Sequence, residues 1–123
     1  MSENKKKVLV IDDEDFIREL IKDFLELGDI LCYGAESAAQ GLELLHQEEF
    51  HLILLDRNLG KSKAEDLIAQ IRTQNQTVPI VILTGDQQCG DDYLKKIGAD
   101  GIIFKPFQVN DFMDNIKNYL EIE

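Results

Sequence analysis

Five side chains in this sequence could do chemistry together: Asp12 and Asp13, side by side, then Asp56, Thr84 and Lys105. Each site follows a short apolar run, at residues 8–11, 52–55, 79–83 and 101–104. Three carboxylates around one point make a hard-oxygen site. An open site of that kind suits Mg²⁺, which keeps several waters and joins protein carboxylates to a phosphate. The Lys105 ammonium can pair with one phosphoryl oxygen and the Thr84 hydroxyl can donate to another. Asp56, flanked by metal and lysine, can then act as a nucleophile toward phosphorus. Taken alone, Asp56 after an apolar run reads as the start of a turn. The matching groups at the other strand ends separate the two readings.

The elements that must position these groups follow from apolar patterning. Residues 51–60 read HLILLDRNLG, in which four consecutive apolar residues run into Asp56. A run without alternation suits a strand covered on both faces, as in a parallel sheet. Residues 8–11 and 79–83 repeat that pattern, with Pro79 at a first strand position where proline is allowed, and residues 30–33 and 101–104 are further strands.

Between the strands come helical stripes. Ile17, Leu20, Ile21, Phe24 and Leu25 precede a stop at Gly28, with Glu14 and Asp15 suited to the positive end of the helix dipole. Ser37 and Gln40 form a capping-box signature before Ala38, Leu42 and Leu45, and Ser62 with Glu65 forms a second before Leu67, Ile68 and Ile71. A short, weakly apolar helix at residues 91–97, stopped by Gly98, suits a mobile element. The last helix carries Val109, Phe112, Met113, Ile116 and Leu120 on one stripe. Five alternations of strand and helix predict an α/β fold, a doubly wound five-stranded parallel sheet with five helices and strand order 2-1-3-4-5. In that order the first, third, fourth and fifth strands are neighbours, so the five chemical side chains meet at one edge.

The 123 residues are expected to form one domain, spanning 1–123. Thirteen Lys and Arg against 24 Asp and Glu give a net charge of −11, which argues against direct binding to nucleic acid or an anionic membrane. No apolar run approaches the ~20 residues of a membrane helix and no signal-peptide pattern is present, so a cytoplasmic location is expected. Cys32 and Cys89 lack metal or redox spacing; Cys32 is read as core and Cys89 as a loop thiol. Phe24, Phe50, Phe112 and Tyr119 are read as core or its fringe, and His46 and His51 as surface residues away from the acids.

Four motifs, VLVIDDE at 8–14, LILLDRN at 52–58, VILTGD at 81–86 and FKPF at 104–107, occur in order and at spacings that resemble the receiver domain of two-component response regulators. The resemblance covers essentially the whole chain and implies the flavodoxin-like fold that the chemotaxis response regulator typifies. It implies that Asp56 accepts a phosphoryl group from a phosphohistidine on a sensor histidine kinase or histidine phosphotransfer protein. The resemblance further implies Mg²⁺ held by Asp13 directly, by Asp12 largely through water, by Asp56 and by the main-chain carbonyl of Asn58. Thr84 would swing toward the aspartyl phosphate, Lys105 would hold one of its oxygens, and Gly85 would leave room for it. A cis bond before Pro106 is expected on the same ground, against about 5–6% for X-Pro bonds in general. The chain would be a signalling switch that assists its own phosphorylation and dephosphorylation. It would present the surface of its fourth and fifth βα units to an output domain, a target protein or, on phosphorylation, a second copy of itself.

The sequence also departs from the family. Ile102 stands where an aromatic often flips inward with the threonine, and an aliphatic side chain cannot signal by burying a ring and its hydroxyl. Leu59, Gly60 and Ala64 replace the usual residues after the acceptor, and Gly60 should loosen that loop. Arg57 and Asp86 are expected on either side of the phosphate, where a pair between them would tune hydrolysis. Three rival readings are a haloacid-dehalogenase-type phosphatase, a flavodoxin, and a receiver that docks without phosphorylation. The first needs its nucleophile after the first strand in a D-x-D-x-[TV] pattern, which Asp13, Glu14, Asp15, Phe16 and Ile17 do not make. Asp12 to Asp15 would repel a flavin phosphate, and the intact set of five site residues speaks against the third.

Overall fold

Apolar strands that do not alternate are explained once both faces of a sheet are covered, and that is the arrangement found. The computed structural model describes residues 5–122. In chain order its elements are β1 (Lys7–Ile11), α1 (Asp15–Leu27), β2 (Leu31–Ala35), α2 (Ala38–Gln47) and β3 (Leu52–Asp56). A short ribbon of β4 (Asn58–Leu59) and β5 (Ser62–Lys63) comes next. Then follow α3 (Ala64–Gln74), β6 (Ile80–Thr84), α4 (Asp91–Ile97), β7 (Gly101–Phe104) and α5 (Val109–Leu120). The main sheet is parallel throughout and ordered β2-β1-β3-β6-β7. With the antiparallel ribbon set aside, this is the expected order 2-1-3-4-5.

Successive residues of the central strands point to opposite faces, and each face has its own core. Leu9, Ile11, Ile53, Leu55, Ile80 and Ile82 pack with Leu45, Leu67, Ile68, Ile71 and Ile97 from α2, α3 and α4. Val8, Val10, Leu52, Leu54, Val81 and Leu83 pack with Ile21, Leu25, Phe112, Met113, Ile116 and Leu120 from α1 and α5. β3 and β6 are buried along their whole length, whereas the edge strand β2 is largely open, which is why its sequence signal is weak. Phe112 and Phe50 are core, with Phe24 and Tyr119 partly buried around it. No described helix is long and apolar enough to cross a membrane.

Several expectations need correction. β2 runs from Leu31 to Ala35, with Ile30 buried just before it. β6 starts after Pro79, whose carbonyl still accepts the Ile53 N–H at 2.9 Å. The Ser62–Glu65 capping box does not form: Ser62 belongs to β5, and α3 begins at Ala64 with Lys63 as an N-cap that makes no side-chain bond. The Ser37 box forms in altered shape. Ser37 accepts the Gln40 N–H at 3.1 Å, but Gln40 reaches back to the N–H of Glu36. Gly28 does end α1, as expected, and the left-handed residue is the following Asp29, at φ 61°. Cys89 is a loop residue but a buried one, and His51 is exposed yet uses Nδ1 to accept the Lys7 N–H at 3.0 Å.

Candidate phosphoacceptor site

The carboxyl ends of β1, β3, β6 and β7 lie side by side, and backbone hydrogen bonds continue past them to fix the residues beyond. Asp12 N–H donates to the Ala35 carbonyl at 3.0 Å, Arg57 N–H to Leu83 at 3.0 Å, and Lys105 N–H to Thr84 at 2.7 Å. Asp56 and Thr84 thus end β3 and β6, and Asp12 and Lys105 extend the ladder one residue past β1 and β7.

Asp12 is fully buried. Its Oδ1 accepts the Glu14 N–H at 2.9 Å, making the turn into α1, and its Oδ2 lies 3.3 Å from Lys105 Nζ. Arg18 reaches back from α1 to donate to the Asp12 carbonyl at 2.6 Å and also pairs with Asp15. Asp13 and Glu14 are exposed, and carboxylate oxygens of Asp12, Asp13, Glu14 and Asp56 all lie within 4.8 Å of one another. Such a gathering of hard oxygen donors fits a divalent cation of the Mg²⁺ class. Of the expected ligand set the structure brings together Asp12, Asp13 and Asp56, with Asn58 adjacent through its N–H, and it adds Glu14.

Asp56 is 6% exposed; its Oδ1 accepts the Asn58 N–H at 3.2 Å and sits 3.5 Å from Lys105 Nζ. Burial, reinforced by the charge of Asp12, raises its pKa above the ordinary value, against the Asn58 N–H and Lys105. For Lys105 burial acts to lower the pKa, but the carboxylates of Asp56 and Asp12 outweigh it and the net shift is upward. The ammonium thus stays charged among the acids, 4.0 Å from Glu14 Oε1 as well. Thr84 is buried, with Oγ1 accepting the Asp86 N–H at 3.1 Å. A methyl group at Gly85 would meet only the Lys105 carbonyl, at 4.0 Å, so the space beside Thr84 is open. The Lys105–Pro106 bond is cis, as expected.

Across the rim Arg57 Nη1 pairs with Asp86 Oδ2 at 2.8 Å, and the guanidinium lies over the Tyr93 ring, 5.0 Å from its centre. Ile102 is partly buried and packs, with Tyr93 and Leu94, against the core on the α2–α4 face. Sequence reasoning missed Glu14, read as a helix-start acid, and Arg18, whose hold on the Asp12 carbonyl no sequence signal marks.

A family model described as "Response regulator receiver domain" matches residues 8–117. The phosphate regulon transcriptional regulatory protein PhoB of Pseudomonas aeruginosa is 32% identical over 119 residues, covering 94% of this chain and 52% of its own length. A probable transcriptional regulator, ycf27 of Guillardia theta, is 30% identical, covering 96% of this chain and 46% of its own length. The chain thus spans about half the length of these curated relatives. Among solved structures, a CheY-like receiver domain protein from Methanospirillum hungatei is 26% identical with a TM-score of 0.86, covering 96% of this chain and 95% of its own. The chemotaxis response regulator CheY4 of Vibrio cholerae, 23% identical, shares the fold with a TM-score of 0.87 over 95% of this chain and the whole of its own. Sheet order, acid cluster and matched family together lead to one conclusion: this chain belongs to the receiver domains of two-component response regulators.

Proposed function

We propose that Asp56 is the phosphoacceptor and that the donor is a phosphohistidine on a sensor histidine kinase or histidine phosphotransfer protein. The observation that carries this is the Asp56 carboxylate itself, buried, 3.5 Å from Lys105 Nζ and part of the four-acid cluster. An Asp56 carboxylate oxygen attacks phosphorus, the P–N bond breaks, and the imidazole nitrogen keeps its electron pair. The product is an aspartyl phosphate and a free histidine, and water later attacks the phosphorus to release inorganic phosphate.

Asp12, Asp13, Asp56 and the Asn58 carbonyl would hold Mg²⁺, with Glu14 near enough to take part through water. Bound there, the ion supplies the positive charge that lets an anionic phosphoryl group approach carboxylates. Lys105 moves from Asp12 and Asp56 to a phosphoryl oxygen. Thr84 exchanges the Asp86 N–H for another such oxygen, and the loop between β6 and α4 shifts with it. That shift is read on the surface of α4, β7 and α5 by an output domain, a target protein or a second copy.

Incubation with acetyl phosphate and Mg²⁺ tests the reading by intact mass. One added phosphoryl group is expected, lost when EDTA replaces Mg²⁺ and lost in Asp56→Asn. No Mg²⁺ binding together with no gain of mass would instead make the chain a receiver that docks without phosphorylation.

A further inference from the structure

We propose a second anion site beside the acceptor, one that takes a small molecule bearing phosphate groups. It is a cavity of about 390 Å³ between the β4–β5 ribbon, the first turn of α3 and α4. Arg57, Lys61, Lys63 and Lys96 line it, with Tyr93 on one wall and Glu65 as its acidic member. In a chain of net charge −11, four cations against one carboxylate is a local reversal of sign.

The reversal is not cancelled by ion pairing. Arg57 is held by Asp86, but among the described residues no carboxylate lies within 4.0 Å of the ammonium of Lys61, Lys63 or Lys96. Like charges that share one cavity lining repel each other, and a bound anion offsets that repulsion. The ribbon fixes two of the three lysines. Asn58 pairs with Lys63 and Leu59 with Ser62, and the connection turns at Gly60, whose φ of 58° favours glycine. Lys61 is thereby carried at the turn and Lys63 at the start of α3.

Size and chemistry choose the ligand. About 390 Å³ is at the small-molecule end of binding cavities, and a lining that carries four basic side chains against one acid selects an anion. Lysine ammoniums bind phosphate as point charges, and a diphosphate can engage more than one at once. Because Arg57 also borders the cavity, an anion there competes with Asp86 for its guanidinium.

The site is tested on the whole chain by following backbone amide shifts during titration with pyrophosphate, without Mg²⁺ or phosphodonor. Inorganic phosphate and sodium chloride at matched ionic strength serve as the comparison arms. Saturable shifts at Lys61, Ser62, Lys63 and Lys96 are expected, half-complete at about 1 mM or below. Phosphate should act more weakly and chloride not at all. The triple variant Lys61→Ala, Lys63→Ala, Lys96→Ala should bind at least ~10-fold more weakly, while the triple variant with arginine at the same three positions keeps binding. Equal shifts with chloride, saturable shifts centred on Asp13, Thr84 and Lys105, or undiminished binding by the alanine variant would each overturn the proposal. Failure of the phosphoacceptor reading would appear in intact mass and leave this titration untouched.

Discussion

At Asp56 burial and the neighbouring charge of Asp12 make ionisation unfavourable, so its folded-state pKa lies above the unfolded value. The folded chain therefore binds that proton more readily, and stability from this group falls as pH rises from the unfolded value through the raised one. At pH 7 without divalent ions Asp56 opposes folding. Asp56→Asn should raise the melting temperature by a few degrees, the scale of ordinary single substitutions. That gain should shrink as pH is lowered through the raised value, where the parent carboxyl takes up its proton; thermal melts at several pH values check it. Cys32 is a simpler case. Burial pushes its thiol up to about 12, so in the folded protein at pH 8 it should resist thiol reagents that label it at once in denaturant. Asp12, Asp56, Thr84 and Lys105 were legible in the sequence because apolar runs fix strand ends, and in a parallel sheet strand ends fix a site. Glu14 and Arg18 were not, because their places depend on the turn that Asp12 makes with the Glu14 N–H.

Among the elements, α2 approaches β1 closely because Gly41 faces Ile11. A Cβ at position 41 would lie 2.6 Å from Ile11 Cδ1 and 2.9 Å from Cγ1, and Ile11 is fully buried. Gly41→Ala should therefore destabilise the fold by about 1–2 kcal/mol despite alanine's better helix propensity, as urea unfolding would show. The Arg57–Asp86 pair ties the segment after β3 to the loop before α4. It is exposed, so replacing both residues with Ala should leave the melting temperature nearly unchanged. Opening the rim to water should speed loss of phosphate several-fold, measured by the decay of the phosphorylated mass. The misread capping box belongs to this scale as well. Ser62 and Glu65 had suitable spacing, but Gly60 lets the chain fold back as a ribbon, and pairing of Ser62 with Leu59 takes its backbone before it can cap. Helix and strand identity came through because two-sided burial leaves unbroken apolar runs; the ribbon did not, because two residues a side carry no periodicity.

For the molecule as a whole, the acids that make the net charge −11 are not spread evenly, since four of them meet at one sheet edge. A divalent ion that binds there stabilises only the folded chain. Mg²⁺ should raise the melting temperature beyond what NaCl of equal ionic strength achieves, and Asp13→Ala should abolish the difference. The strand order was legible because alternating strands and helices leave few layered arrangements, whereas the basic lining of the cavity beside α4 is only partly visible in the sequence. Arg57, Lys61 and Lys63 fall close together in the chain, but Lys96 joins them only once α4 is placed. Which aspartate takes the phosphoryl group separates a receiver from a first-strand phosphatase. Borohydride reduces an acyl phosphate to the alcohol, so trapping after acetyl phosphate treatment should convert Asp56, and no other aspartate, to homoserine in peptide mass spectra. Homoserine at position 12 or 13 would instead make a first-strand aspartate the nucleophile and contradict the account.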